Sequence, residues 1–142
     1  MRIGRRDYVS LDQAKLLKEL GFDYDVTSCY SALKEQLYTS IPHTNYNDPN
    51  ENDFFGEDGE MFGGLRQKPY SAPMLIEVQE WLRKEKNIII EVELIYCEMK
   101  PYFIGSIHII GSRTETYKKE YETYEDALSA MINICLMILK TE

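Results

Sequence analysis

Cysteine is scarce in this sequence, which contains only Cys29, Cys97 and Cys135 among its 142 residues. Their odd number and wide spacing fit neither a disulfide framework nor a zinc site. Each lies among apolar or aromatic residues, so we expect all three to be small buried hydrophobic side chains. Glycine (8 residues) and proline (5 residues) are also few, while 44% of the residues are hydrophobic. This composition excludes wholesale disorder, collagen-like repeats and a disulfide-dense miniprotein.

Positive charge is in short supply, because 16 Lys and Arg residues stand against 24 Asp and Glu residues. The formal net charge of −8 repels phosphate backbones. The charge balance therefore disfavours general affinity for nucleic acids.

Long hydrophobic runs are missing as well. The most apolar stretch, residues 127–139, is shorter than the roughly 20 residues that cross a bilayer. The basic start over residues 1–7 is not followed by the apolar region of a signal peptide. We therefore expect a cytoplasmic protein with no membrane contact.

The residues that are present predict one α+β domain over residues 1–142. Ser10 and Gln13 form the pattern of a capping box, which predicts a helix over 11–20. Residues 71–140 predict a core in the order helix, three-stranded antiparallel meander, helix, with both helices on one sheet face. The expected elements of this core are a helix with Ser71 as N-cap, strands over 88–96, 102–110 and 114–121, and a helix from the N-cap Thr123 to about Lys140. The residues expected to be buried together are Trp81, Leu82, Ile90, Val92, Leu94, Phe103 and Leu128.

Residues 26–41 are compatible with two local structures. The β-branched and aromatic residues over 26–30 favour a strand, followed by a turn at 34–35 and a second strand over 36–41. A helix over 31–38 is the alternative. Both readings stay open at the level of the sequence.

Residues 42–69 are the least globular segment and are predicted to form a long acidic loop. Every charged residue between positions 43 and 60 is acidic, and Pro, Asn and Gly are dense there. The pair Asp58-Gly59 is suited to the turn of a small hairpin within the loop. Adjacent phenylalanines in so polar a segment either anchor the loop to the domain or contact a partner protein. The predicted partner contacts are Asp53, Phe54, Phe55 and Glu57.

Two sequence patterns resemble functional sites and fall short of them. The segment that begins at Asp48 places oxygen donors at three positions of an EF-hand-like loop, but lacks its glycine and its final glutamate. His108 and Ser106 share a strand face, with Glu91 and Glu93 expected nearby, but no nucleophile elbow or oxyanion hole accompanies them. We therefore predict no catalytic residue, no metal site and no cofactor, in a protein that is not an enzyme.

Four sequence blocks occur in the same order in a known family. They are residues 16–23 (LLKELGFD), 70–73 (YSAP), 81–85 (WLRKE) and 123–128 (TYEDAL). On these blocks, most of the chain resembles a family of uncharacterised small proteins encoded by gut-bacterial genomes, prophages and phages. The resemblance implies a phage or mobile-element context and supplies no catalytic residues. The final helix departs from the family, because residues 131–139 are almost wholly apolar in this chain.

The predicted order helix–β–β–β–helix is also that of the double-stranded-RNA-binding domain, which reads duplex shape through phosphate and 2′-OH contacts. That domain carries lysines at the start of its last helix, where this sequence has Glu122, Glu125 and Asp126. Lys118 and Lys119 lie just before that helix. A nucleic-acid-binding module is therefore the alternative function.

The leading hypothesis is a non-enzymatic accessory or regulatory protein of a phage or mobile element that acts by protein–protein contact. Its protein partner is not identified by the sequence. The final helix is apolar around most of its circumference, more than one sheet face can cover. We therefore predict a homodimer as well. The expected dimer contacts are Met131, Ile134, Cys135 and Ile138.

Overall fold

The computed structural model describes residues 4–31, 35–48, 69–96 and 100–142. Within these ranges the chain forms three α-helices and two three-stranded antiparallel sheets, which confirms the α+β class. It divides into two compact units, of which one is Val9–Pro73 and the other combines Met1–Tyr8 with Met74–Glu142. The single domain over residues 1–142 stays a prediction.

In the unit Val9–Pro73, the first helix, α1 (Leu11–Glu19), begins as the sequence predicts. Ser10 Oγ accepts a hydrogen bond from the Gln13 amide (3.2 Å), and Gln13 Oε1 accepts one from the Ser10 amide (2.9 Å). After the helix, Gly21 adopts the left-handed conformation with φ of +86°. The capping box is therefore confirmed.

Residues 26–41 form a hairpin in the part that the structure describes. Strand β1 (Cys29–Tyr30) pairs antiparallel with β2 (Leu37–Tyr38). The alternative helix over 31–38 is wrong, because its last two residues belong to a strand. Each strand contains a tyrosine, and aromatic side chains favour this extended backbone.

A third strand, β3 (Tyr70–Ser71), pairs antiparallel with the other side of β1. The prediction that Ser71 is an N-cap is therefore wrong. Its amide donates a hydrogen bond to Asn47 Oδ1 (2.9 Å), and its side chain is buried. Helix α2 (Leu75–Glu85) begins only after Met74. Ser71 thus pairs with β1 as part of a strand and does not cap the helix.

The second unit contains the predicted helix–meander–helix core. After α2 its elements are β4 (Ile88–Ile95), β5 (Tyr102–Ile109), β6 (Arg113–Tyr121) and α3 (Tyr124–Lys140). The strands pair antiparallel in the order β4-β5-β6, so β4 and β6 are the edges of this sheet. Thr123 Oγ1 accepts a hydrogen bond from the Asp126 amide (3.1 Å) and caps α3 as predicted.

One face of the larger sheet carries the core. Ile90 on β4 lies opposite Ile107 on β5, and both side chains are buried. A Cβ atom on Gly105 would collide with the side chain of Met131, so this glycine lets α3 approach the sheet closely. Helix α3 contacts all three strands, and α2 contacts β4 and α3. Helix α3 therefore covers this face, with α2 beside it along β4.

The predicted core is confirmed in part. Four of its residues are buried, namely Trp81, Leu82, Ile90 and Leu128. The prediction is wrong for Leu94, which is 40% exposed, while Val92 and Phe103 are half-buried. Burial decreases along β4, whose first and third residues are buried and whose later residues are half-buried or exposed.

Helix α3 is buried largely by its own chain. Met131 and Cys135, which were expected at a dimer interface, are both 0% exposed. That part of the expectation is corrected, because packing inside the chain leaves these two side chains no surface for a second copy. Ile134 and Ile138 are half-buried and stay predicted dimer contacts.

Candidate functional site

The partner contacts predicted in the acidic loop lie outside the described residues. They are Asp53, Phe54, Phe55 and Glu57. The Asp58-Gly59 turn and most of the EF-hand-like segment also lie outside them. These expectations stay predictions, and the described residues direct attention to the edges of the β4-β5-β6 sheet.

The outer edge of β4 presents backbone groups that have no partner in the part of the chain that the structure describes. In an antiparallel pair, residues that exchange hydrogen bonds with the neighbouring strand alternate with residues whose N–H and C=O point away. The Asn87 carbonyl accepts a hydrogen bond from the backbone just after β5 (3.0 Å). The Ile90 carbonyl, three residues on, points outward and accepts one from Gln79 Nε2 (3.0 Å). By alternation the backbone groups of Val92 and Leu94 also point outward, and they have no hydrogen-bond partner among the described residues.

Strand β4 lacks several of the features that usually protect a sheet edge. Soluble proteins commonly protect their edge strands with lysine, proline, a bulge or a very short strand. Strand β4 has 8 residues, pairs with β5 in continuous register and contains no Lys, Arg or Pro. Leu94 is 40% exposed, and Tyr96 just beyond the strand is 80% exposed. The edge is therefore regular and largely apolar.

The opposite edge, β6, has the protective features that β4 lacks. Its pairing with β5 contains a register shift between Phe103 and Gly105. Its exposed basic residues are Arg113, Lys118 and Lys119. A foreign strand approaching β6 thus meets positive charge and an irregular backbone.

A shallow depression adjoins the β4 edge on the side of α2. It is lined by Ile76, Gln79, Glu80, Arg83, Ile89 and Ile90. Its volume is about 220 Å³, which is below the roughly 300 Å³ at which small-molecule pockets begin. Ile76 is 60% exposed at its rim. A depression of this size fits one side chain of a bound segment better than a separate small molecule.

Negative charge lines the β4 edge on the sheet face opposite the helices. Glu91 and Glu93 alternate with the core-facing residues and are both exposed. Glu91 Oε1 lies 3.2 Å from His108 Nε2 on β5. The cross-strand neighbour of Glu93 is the uncharged Ile104. Among the described residues, Glu93 has no ion-pair partner.

The hydrolytic arrangement that the sequence suggests does not form around Ser106. Its hydroxyl lies 3.1 Å from Thr116 Oγ1, while His108 Nδ1 lies 2.9 Å from Thr114 Oγ1. Glu91, His108 and Thr114 do form a carboxylate–imidazole–hydroxyl row, but the Glu91 side chain is 67% exposed. Acyl transfer depends on preorganised donors in a water-excluded site. The row is better described as a set of cross-strand pairs on the surface of the sheet.

Cys29 and Cys135 are free and buried, as the sequence predicts, whereas Cys97 lies outside the described residues. Burial raises the pKa of each buried thiol to about 12, which suppresses the reactive thiolate. Over the described ranges, no group of three or more His, Cys, Asp or Glu residues is placed to hold a metal ion. None of the described helices combines the length and apolar character needed to span a bilayer.

Sequence reasoning missed the β4 edge. The alternation of Ile90, Val92 and Leu94 with Glu91 and Glu93 predicts a strand and its two faces, but not its place in the sheet. A usable signal was the contrast between strands of the meander, since the last strand carries Lys and the first carries none. Because a meander puts its first and last strands at opposite edges, that contrast separates a protected edge from an open one.

Comparisons with other proteins add no assignment to this geometry. No protein-family model, curated protein or solved structure matches the chain. The candidate site is therefore defined by the β4 edge, its two glutamates and the adjoining depression.

Proposed function

We propose that this protein is a non-enzymatic accessory or regulatory protein of a phage or mobile element that binds another protein at the β4 edge. The observation that carries the proposal is that the backbone groups of Val92 and Leu94 have no partner among the described residues on a regular edge, while the β6 edge is protected. An exposed edge is a template for another strand. Strand addition is a recurring mode of protein recognition. The phage or mobile-element context rests on the resemblance of the four sequence blocks.

Exposed apolar side chains around the edge support the same proposal. Ile76 and Leu94 are 60% and 40% exposed, and Tyr96 is 80% exposed. A strand that adds to β4 can cover part of this surface and gain hydrophobic stabilisation in addition to main-chain hydrogen bonds. Side-chain contacts of this kind select one partner among many strands.

The experiment removes one outward N–H group from each edge. Proline is tolerated on an edge strand where its nitrogen faces solvent, so Val92→Pro removes a donor from β4 while leaving the hydrogen bonds to β5. Thr116→Pro is the matched control on β6. Ser106 exchanges its backbone hydrogen bonds with β4, so Thr116 opposite it points its own backbone groups away from the sheet.

Tagged wild-type protein and both variants are incubated with an extract of the host cell, and bound proteins are quantified by mass spectrometry. We expect one protein to be captured by the wild type and by Thr116→Pro but not by Val92→Pro. Capture that survives Val92→Pro would contradict the proposal. Circular dichroism and cooperative unfolding establish that each variant is folded.

A nucleic-acid-binding module is a second candidate, supported by the element order α2–β4–β5–β6–α3. The charge distribution opposes it, because Glu125 and Asp126 occupy the first turn of α3. Filter binding with an RNA duplex of about 16 base pairs at low salt tests this candidate. Affinity that falls when Lys118 and Lys119 are replaced by Ala would favour it over protein binding.

A further inference from the structure

We infer that the segment bound at the β4 edge is an extended strand in which Lys or Arg alternates with apolar residues. The inference rests on the proposed function, because it specifies the chemistry of a partner at that same edge. Successive side chains of an added strand point to opposite faces of the sheet. The two faces that they meet beside β4 differ in chemistry.

On the face opposite the helices, the added strand meets Glu91 and Glu93. Side chains directly opposite each other on neighbouring strands have Cβ atoms about 4.5–5.5 Å apart, where opposite charges stabilise pairing and like charges destabilise it. Glu91 remains 67% exposed beside His108, and Glu93 faces the uncharged Ile104. Both carboxylates are therefore available to Lys or Arg at alternate positions of the added strand.

On the helix face, the added strand meets apolar surface. Val92 is half-buried and Leu94 is 40% exposed along the edge. Ile76 projects from α2 at the rim of the depression and is 60% exposed. Apolar side chains at the remaining positions of the strand remove these surfaces from water. The basic and apolar residues of the partner strand thus alternate in the same way as the acidic and apolar residues of β4.

A second copy of this chain fits the edge poorly. Symmetric antiparallel pairing of two β4 strands joins outward-pointing residues to outward-pointing residues. The two registers that pair the most residues are centred on Glu91 and on Val92. The first sets Glu91 opposite Glu91 of the second copy, and the other sets Glu91 opposite Glu93 of the second copy. Because like charges oppose each other in both, the edge favours a basic strand over self-pairing.

Fluorescence anisotropy with two labelled peptides tests the inference. One peptide is Ser-Lys-Val-Lys-Val-Lys-Val-Ser, and the other carries Glu in place of each Lys. We expect the wild type to bind the basic peptide about tenfold more tightly, or better, at low salt. Glu91→Lys combined with Glu93→Lys is expected to reverse this preference, and both positions are exposed enough for the variant to fold.

Val92→Pro and Thr116→Pro separate a docked strand from a peptide held only by the net charge of −8, because neither substitution changes that charge. We expect Val92→Pro to lower the affinity for the basic peptide about tenfold and Thr116→Pro to leave that affinity unchanged. Equal affinity of the wild type for the two peptides overturns the inference. Equal binding of the basic peptide to the wild type and Val92→Pro overturns it as well.

The outcomes also distinguish this inference from the proposed function. If Val92→Pro abolishes capture of the host protein while the two peptides bind alike, the basic-strand inference fails and the proposed function stands. If capture survives Val92→Pro, the proposed function fails. A homodimer that Val92→Pro dissociates, measured by sedimentation equilibrium, overturns the inference by placing a second copy at the edge.

Discussion

Both edges of the β4-β5-β6 sheet can pair with a strand of another chain, but the two edge strands have opposite features. Strand β6 carries Lys118 and Lys119 and pairs through a register shift, so an incoming strand finds no regular template. Strand β4 is regular, and its charges are confined to Glu91 and Glu93 on one face. Packing against the helices does not require this difference between the two edges. The difference shows that the two edge strands of one sheet can differ in their protection against unwanted pairing. The less protected strand is the one at which we expect a partner to bind.

The largest change in stability is expected from a substitution in α3, because this helix packs against all three strands, including both edges. Leu128 on α3 is 1% exposed, so Leu128→Ala should lower the free energy of unfolding by about 2–5 kcal/mol through the cavity that it creates. Urea denaturation measures the loss. Met137→Ala on the same helix is the control, because Met137 is 45% exposed and should change stability by less than about 0.5 kcal/mol. A similarly small loss for Leu128→Ala would show that the core under α3 does not hold the sheet.

The second-largest effect is expected at high pH, where the free energy of unfolding should fall because of Cys135 on α3 and Tyr117 on β6. Burial raises the pKa of Cys135 from 9.0 to about 12. A hydrogen bond to Glu115 Oε2 (2.5 Å) is the main cause that raises the pKa of Tyr117 from 10.0 to about 12. Both groups ionise in the unfolded chain before they ionise in the folded protein. Stability is therefore fully present below pH 9 and falls as the pH rises towards 12.

Urea denaturation of the wild type and Cys135→Ala between about pH 8 and pH 11, under reducing conditions, isolates the thiol. The thiol should cost the wild type about 2–3 kcal/mol at pH 11. The variant should therefore lose less stability than the wild type over that range. Cys29 has the same raised pKa in both proteins, so its effect cancels in the comparison. Parallel pH profiles would contradict the burial of Cys135 as the cause.

A lysine on β4 should make that edge behave like β6. Leu94→Lys is expected to weaken binding of the basic peptide about tenfold, because it adds positive charge and removes apolar contact. Leu94 is 40% exposed, so the substitution should change the stability of the sheet little. Thr116→Lys places the same side chain on the other edge and should leave affinity unchanged. If both variants bind as the wild type does, the difference between the edges has no role in binding.

The smallest change in stability is expected from substitutions on β6. The same substitutions should nevertheless increase self-association of the protein. Lys118→Thr combined with Lys119→Thr alters two exposed residues and should shift the free energy of unfolding by less than about 1 kcal/mol. Loss of the lysines should nevertheless open this edge to self-pairing. Sedimentation velocity over a concentration series measures that association. Lys140→Thr removes a positive charge at the end of α3 and is the control. Identical behaviour of the two variants would remove the protective role assigned to the lysines.

Sequence patterns predicted the elements whose signals are local. The caps at Ser10 and Thr123 are confirmed because their hydrogen bonds join residues only three positions apart. The strands β4 and β5 are confirmed because alternation of apolar and polar residues marks a half-buried strand. These interactions are complete within one element or between neighbouring elements of the chain.

The remaining features depend on distant residues. Ser71 has the chemistry of a cap, but it pairs with Cys29 far along the chain and lies in a strand. Leu94 continues the apolar alternation of β4, but it is 40% exposed, whereas Ile88 and Ile90 on the same face are buried. The open edge was not predicted although the meander already placed β4 at an edge, because the outward direction of the Val92 and Leu94 backbone groups follows from the hydrogen-bond pattern between β4 and β5.

The side chain of Gln79 has a consequence for how long a partner stays bound. Its hydrogen bond occupies the Ile90 carbonyl, so an added strand pairs farther along, with the outward-pointing backbone groups of Val92 and Leu94, which have no partner among the described residues. Each such hydrogen bond contributes about 0.5–1.5 kcal/mol, whereas association costs about 4 kcal/mol or more in lost translational and rotational freedom. The four outward groups of Val92 and Leu94 together contribute about 2–6 kcal/mol, which does little more than offset that cost, so side-chain contacts set most of the dissociation rate. A segment with unsuitable side chains leaves quickly, so this edge selects its partner through residence time.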